Sequence, residues 1–137
     1  MALHQGGLPL PRFDALGLVV KDMGRTLAFY RSLGLVISPE ADSEGHAEAT
    51  LPGGLRLMFD TIDLVRSFSA WEPPTGGHRI ALAFLCDSPA EVDARHAALV
   101  AAGHESRLEP FDAFWGQRYA TVLDPDGNPV DLFAPLP

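Results

Sequence analysis

Ala15-Leu16-Gly17-Leu18-Val19-Val20-Lys21-Asp22 reads as a short buried strand that runs into a helix N-cap. About 66 residues later the pattern returns: Ala81-Leu82-Ala83-Phe84-Leu85-Cys86 runs into Ser88-Pro89-Ala90-Glu91, a capping box with proline at the first helical position. The first strand is predicted over 13–20 and the second over 79–86. Leu27, Phe29, Tyr30 and Leu33 form the apolar stripe of the first helix, which Gly34 stops; Val92, His96, Leu99 and Val100 form that of the second, which Gly103 stops. After the first helix come a strand at 35–38, an acidic turn at 40–45, a strand at 46–51, the turn Pro52-Gly53-Gly54 and a strand at 55–59. After the second come a short strand at 105–108, an aromatic loop at 109–116, a strand at 117–123, the turn Asp124-Pro125-Asp126-Gly127-Asn128 and a strand at 130–134. The order is strand, helix and three strands, twice. An internal repeat outranks any single motif as a fold signal. It predicts an α+β fold of two tandem βαβββ modules, about 13–60 and 79–134. They are joined by a 61–78 connection carrying a helical turn near 62–68. The N-terminal tail, 1–12, contains two glycines and two prolines and reads as frayed, leaving 13–137 as one domain.

Composition narrows the function classes. The chain has 137 residues, with 18 Asp+Glu against 10 Lys+Arg and a net charge of −8. An acidic chain lacks the basic face that nucleic acid needs and suits neutral or cationic ligands. The single cysteine, Cys86, rules out an intrachain disulfide and any cysteine-rich zinc site. No apolar run approaches the ~20 residues of a membrane span, and no charged-then-apolar leader opens the sequence, so a cytoplasmic protein is expected.

Asp22, with the helix carrying Ala28-Phe29-Tyr30 and ending Leu33-Gly34-Leu35, resembles the first module of the vicinal oxygen chelate superfamily. Trp115-Gly116-Gln117-Arg118-Tyr119, running into Asp124-Pro125-Asp126-Gly127-Asn128 and Val130-Asp131-Leu132, resembles its second. That superfamily includes glyoxalase I, extradiol dioxygenases, fosfomycin-modifying enzymes and bleomycin-resistance proteins. The resemblance covers about residues 13–134. It implies paired modules whose mixed sheet curls around a cavity, and a homodimer. It also implies where metal ligands, usually His and Glu, would stand: Ala15, Ala81, Asp131 and a position near Leu57, which a one-residue offset would make Arg56 or Met58. Three of these four positions carry no usual ligand, and a catalytic cation needs about three.

Single residues complete the expectation. Trp71, Phe111, Phe114 and Trp115 fall in predicted loops rather than at core periodicity, as lid or ligand-contact aromatics do. Asp131, flanked by Val130 and Leu132, points away from them and offers an acceptor or a general base. By parity, Leu57, Phe59, Asp131 and Phe133 share the cavity face. Arg118 is expected to pair with Asp124 or with the ligand, and His46 to reach the ligand from a strand start. Of the other histidines, His78 ends a loop with the wrong parity, His96 is partly buried on its helix, His4 lies in the tail and His104 is exposed. Cys86 reads as core. The candidate ligand contacts are therefore Trp115, Trp71, Phe114, Phe59, Phe133, Asp131, Arg118, Leu57 and His46, with no catalytic residue, metal or cofactor assigned. The expected function is metal-independent binding of an apolar or aromatic small molecule, with a cationic group suited to the chain's charge. Sequestration of an antibiotic or similar natural product is its biological form. The alternatives are a lyase, isomerase or dioxygenase of the glyoxalase type with non-standard ligands, or a metal-free natural-product-modifying enzyme using Asp131 or His46 as base.

Overall fold

The computed structural model of the chain describes residues 4–5, 8–76 and 80–137. The segment expected to be frayed contains a short antiparallel bridge, β1 (His4–Gln5) with β2 (Leu8–Pro9). The first module then holds β3 (Ala15–Val20), α1 (Met23–Ser32), a 3-10 turn (Pro39–Ser43), β4 (His46–Thr50) and β5 (Arg56–Thr61). A one-turn helix, α2 (Ile62–Arg66), begins the connection. The second module holds β6 (Leu82–Leu85), α3 (Pro89–Ala101), β7 (Ser106–Ala113), β8 (Gln117–Leu123) and β9 (Pro129–Pro135).

Each module builds the same mixed sheet from the same logic. The first strand runs parallel to the last, β3 with β5 and β6 with β9, because the intervening helix carries the chain back across the sheet. Tight turns then pair β4 antiparallel with β5, β8 with β9 and β7 with β8, giving the orders β3-β5-β4 and β6-β9-β8-β7. Both helices start at the expected caps. The Asp22 carboxylate accepts from the Arg25 N–H at 3.1 Å, and the Ser88 hydroxyl accepts from the Glu91 N–H at 3.2 Å. Both stop at a glycine with positive φ, Gly34 at 99° and Gly103 at 97°, which only a residue without a Cβ adopts cheaply.

The first sheet lacks the strand expected over 35–38. Arg31 claims that segment's acceptors: its Nε donates to the Ile37 carbonyl at 3.0 Å and its Nη2 to the Ser38 carbonyl at 2.8 Å. With those oxygens engaged, Ile37 is buried and Leu35 packs against the core, but the backbone turns at Pro39 instead of pairing with β4. In the second module the opposite correction holds. β7 extends to Ala113, so Phe111 sits on a strand and only the tip around Phe114, Trp115 and Gly116 is a turn.

One core serves both modules. Leu27, Phe29 and Tyr30 of α1 and Val92 and Leu99 of α3 pack with Leu57, Phe59, Val122, Val130, Leu132 and Ala134. The tie across the repeat is polar and buried. Tyr30 Oη donates to Asp124 Oδ2 at 2.8 Å, and Asp124 Oδ1 accepts from the Asp126 and Asn128 N–H groups, both at 2.9 Å. The Phe29-Tyr30 element of the first half and the Asp124–Asn128 turn of the second are thus two sides of one hydrogen-bonded cluster.

Candidate functional site

Helices α1 and α3 cover one face of the two sheets and leave the other open. Alternation along the strands decides which side chains reach the open face. On β9, Val130, Leu132 and Ala134 are buried under the helices, so Asp131 and Phe133 face outward. The pairings carry this across the sheet: Asp131 stands between Ala83 and Thr121, and Phe133 between Leu85 and Tyr119.

Asp131 is held by two hydroxyls of β8. Thr121 Oγ1 donates to its Oδ1 at 2.7 Å, and Tyr119 Oη donates to its Oδ2. Partial burial and the adjacent carboxylate push the Tyr119 phenol up to about 12, so at neutral pH it is a fixed donor. The Tyr119 ring is one side of an aromatic group. Its centroid lies 5.2 Å from Trp115 and 6.2 Å from Phe111, both edge-on, and Phe114 stands 5.0 Å from Trp115. Trp115 Nε1 donates to Gln117 Oε1 at 2.8 Å, which fixes the indole while leaving it 49% exposed. Phe114 at the hairpin tip is 96% exposed. The result is a negative, hydrogen-bonded spot beside an aromatic wall. Asp131 and Phe133 share this face with Tyr119, and Trp115 and Phe114 continue it at the hairpin tip.

His46 lies on the open face of the other sheet, opposite Asp60. Its Nδ1 is 2.6 Å from Asp60 Oδ1 and its Nε2 2.8 Å from Glu48 Oε2, and both contacts raise its pKa, Glu48 the more. Arg56 extends the network, paired with Glu48 at 2.9 Å and with Asp14 at 2.7 Å. An imidazole held between two carboxylates favours its charged form and joins a lattice of alternating charge.

Four expected contacts are corrected. Leu57 and Phe59 turn into the core, at 4% and 0% exposure, with Phe59 against Tyr30 at 5.3 Å. The open-face residues of β5 are Arg56, Met58 and Asp60. The parity error has one cause: the first turn holds two adjacent glycines, and aligning Gly53 rather than Gly54 with Gly127 slips the register by one residue, which swaps the faces. The counterpart of Asp131 is therefore Met58, which pairs with Gly17 as Asp131 pairs with Ala83. Arg118 projects to the helical side, pairing with Asp93 of α3 at 2.9 Å and with Asp112 at 3.1 Å rather than with Asp124 or the open face. Trp71 is separate from the wall. It lines a cavity of about 850 Å³ beside β3 and the start of β6, with Leu16, Leu18, Ile62, Pro73 and Leu82. His104, expected in solvent, is half-buried with its ring 4.8 Å from Phe29. His96 is buried, its Nε2 2.8 Å from Ser106 Oγ. Cys86 is buried too, and His78 lies outside the described residues.

The donor set does not fit a catalytic metal. With the register corrected, the four positions are Ala15, Met58, Ala81 and Asp131, and both oxygens of the one carboxylate accept hydroxyl protons. Among the described residues, no group of three or more His, Cys, Asp or Glu side chains could hold a metal ion. The residues that sequence reasoning passed over are Tyr119 and Thr121. Their signal was available: alternate positions 117, 119 and 121 of one strand all end in a polar atom.

The sequence profile of the Glyoxalase/Bleomycin resistance protein/Dioxygenase superfamily matches residues 12–132. No curated protein matches the chain. Among solved structures, a glyoxalase/bleomycin resistance protein/dioxygenase from Nocardioides shares 28% identity over 94% of this chain and 86% of its own, with a TM-score of 0.71. A glyoxalase/bleomycin resistance protein/dioxygenase family enzyme from Burkholderia phytofirmans PsJN, at 20% identity over 92% and 100%, has a TM-score of 0.75. A glyoxalase-related enzyme from Fulvimarina pelagi, at 19% identity over 91% and 88%, has a TM-score of 0.76. At these lower identities the likeness is one of fold. The repeat, the paired mixed sheets and the profile together make this chain a member of the glyoxalase/bleomycin resistance protein/dioxygenase superfamily.

Proposed function

We propose that this chain is a small-molecule binding protein that works without a metal. It takes an aromatic ligand bearing a cationic or N–H donor group against the open face of the four-stranded sheet. One observation carries the reading: a carboxylate locked by Tyr119 and Thr121 beside the exposed edge of Trp115. Both Asp131 oxygens are already oriented by hydroxyls, which suits a fixed acceptor better than a base that must turn to take a proton.

The magnitudes are sufficient. Burying about 200 Å² of aromatic surface is worth about 5 kcal/mol. A hydrogen bond to the carboxylate adds about 2 kcal/mol. Association costs several kcal/mol, so micromolar affinity, about 8 kcal/mol, requires a second apolar contact. Phe133 and the 68%-exposed Leu85, paired on adjacent strands, supply one on the same face. The apolar cavity at Trp71 is the competing resting place for such a ligand, and its volume falls in the usual range for small-molecule sites. The biological role this reading assigns is sequestration of an aromatic natural product such as an antibiotic. The working form is a homodimer, in which a second copy covers an open sheet edge.

Native mass spectrometry with elemental analysis of the purified protein tests the reading. The expected result is a dimer without stoichiometric divalent metal. Zinc, nickel or iron at one per chain, lost in Asp131→Asn, would overturn it.

A further inference from the structure

The helical side of the molecule carries a second pattern that the open face does not use. Residues 25, 28, 29 and 32 of α1 read Arg, Ala, Phe and Ser, and residues 95, 98, 99 and 102 of α3 and its cap read Arg, Ala, Leu and Ala. The spacing, i, i+3, i+4, i+7, puts each set on one helix face. The two faces meet. They bound a cleft of about 310 Å³ whose lining is these eight residues and His104. The large member of each set, Phe29 and Leu99, is buried and forms the floor. The small members leave the space above it open.

The rim is positive in an acidic protein. Arg31, Arg56, Arg66 and Arg118 are each taken by a carboxylate within 3.5 Å. Arg25 has no such partner among the described residues. Arg95 reaches across to α1, its Nη1 donating to the Ser32 carbonyl at 3.3 Å, with Glu91 at 3.8 Å. Arg25 lies close enough to His104, just past the end of α3, to disfavour the charged imidazole. Seven residues of helix separate the two arginines' levels on α1, about 10 Å, so they stand towards opposite ends of the cleft. His104 is pressed towards its neutral form first by burial and then by Arg25, with Asp124 opposing them. Asp124 itself faces inward, its oxygens engaged by Tyr30 and the turn.

We propose that this inter-helix cleft is a binding site for a small organic anion. Its carboxylate or phosphate would be held by Arg25 and the His104 ring, or by Arg95. Its apolar body would lie over Ala28, Phe29, Ala98 and Leu99. The site is on the opposite side of the sheets from Asp131 and takes ligands of opposite charge, so it stands independently of the function proposed above. An anion seated between Arg25 and His104 offsets the arginine's charge and favours the imidazolium.

The test is an NMR titration of the His104 Cε1–H against pH, with and without millimolar phenyl phosphate, on the full chain. Benzyl alcohol serves as the neutral control. The expected result is a rise in the His104 pKa with phenyl phosphate and none with benzyl alcohol. Phenyl phosphate affinity at the His104 end should weaken about tenfold, the worth of one charged hydrogen bond, in Arg25→Gln, and the Arg25→Gln, Arg95→Gln double variant should lose it at either end. Both arginines are exposed, so both variants should keep the wild-type melting temperature within a few degrees. Identical His104 titrations with and without the probe would overturn the proposal in the wild-type protein alone. So would unchanged affinity in the Arg25→Gln, Arg95→Gln double variant. Tryptophan emission should not respond to phenyl phosphate, since neither Trp71 nor Trp115 lines the cleft.

Discussion

Replacing Tyr30 by phenylalanine removes one oxygen atom and tests the tie between the modules. Tyr30 is fully buried, and its hydroxyl donates to Asp124 Oδ2 at 2.8 Å. The phenyl ring fills the same space, so no cavity opens. What is lost is one donor to a buried carboxylate. A hydrogen bond to a charged acceptor is worth about 1.5–3 kcal/mol. Asp124 keeps three other donors: the Asp126 and Asn128 N–H groups and Asn128 Nδ2 at 2.8 Å. Those remaining partners place the loss near the middle of that range, about 2 kcal/mol. For a chain of this size each kcal/mol corresponds to about 3–4 °C, so the melting temperature should fall by about 6–8 °C. Thermal unfolding followed by circular dichroism measures it, and a double-mutant cycle with Asp124→Asn isolates the pairwise part. A loss below about 0.5 kcal/mol, or a zero coupling energy, would show that apolar packing alone joins the modules.

Three further outcomes follow from the structure. The chain has only two tyrosines, and both phenols are pushed above the ordinary 10.0 by burial and an aspartate. The folded state keeps protons that the unfolded state releases near 10, so this stability is present below that pH and is lost as pH rises above it through the raised values; the folded protein should show no tyrosinate absorbance step near 10. His46 should titrate by NMR above its ordinary 6.5, because Glu48 and Asp60 favour its charged form; that contribution is present below 6.5 and fades as pH rises through the raised value, and Asp60→Asn should move the midpoint back down. Ser88→Ala removes the α3 cap and should cost about 1 kcal/mol in denaturant unfolding, with an unchanged slope.

The repeat was legible because each module's punctuation is local. Asp22 and Ser88 cap, Gly34 and Gly103 stop, and the Asp124–Asn128 turn closes on its own carboxylate; all three read within a few residues. Strand parity was legible on β9, where a single glycine precedes the strand, and illegible on β5, where two adjacent glycines leave the register ambiguous by one. The missing strand at 35–38 depends on Arg31 reaching six and seven residues ahead to carbonyls, a contact that hydrophobic patterning does not encode. The candidate site shows the same division. Asp131 and Trp115 stood out as a flanked carboxylate and an off-period aromatic. That Tyr119 and Thr121 hold the carboxylate depends on the β8–β9 register, and that Arg118 turns away to Asp93 depends on where α3 crosses the sheet. Both are tertiary facts.

The central claim is that Asp131 and Trp115 form one binding surface for an aromatic cation. Calorimetric titration of a planar acridinium dye into the wild-type protein, Asp131→Asn, Trp115→Ala and Trp71→Phe tests it most directly. The account predicts saturable binding at one dye per chain. Asp131→Asn and Trp115→Ala should each weaken it by about 1–3 kcal/mol, the range of interface hot spots, and Trp71→Phe should leave it unchanged. Equal affinity in all four proteins, or a loss confined to Trp71→Phe, would contradict it.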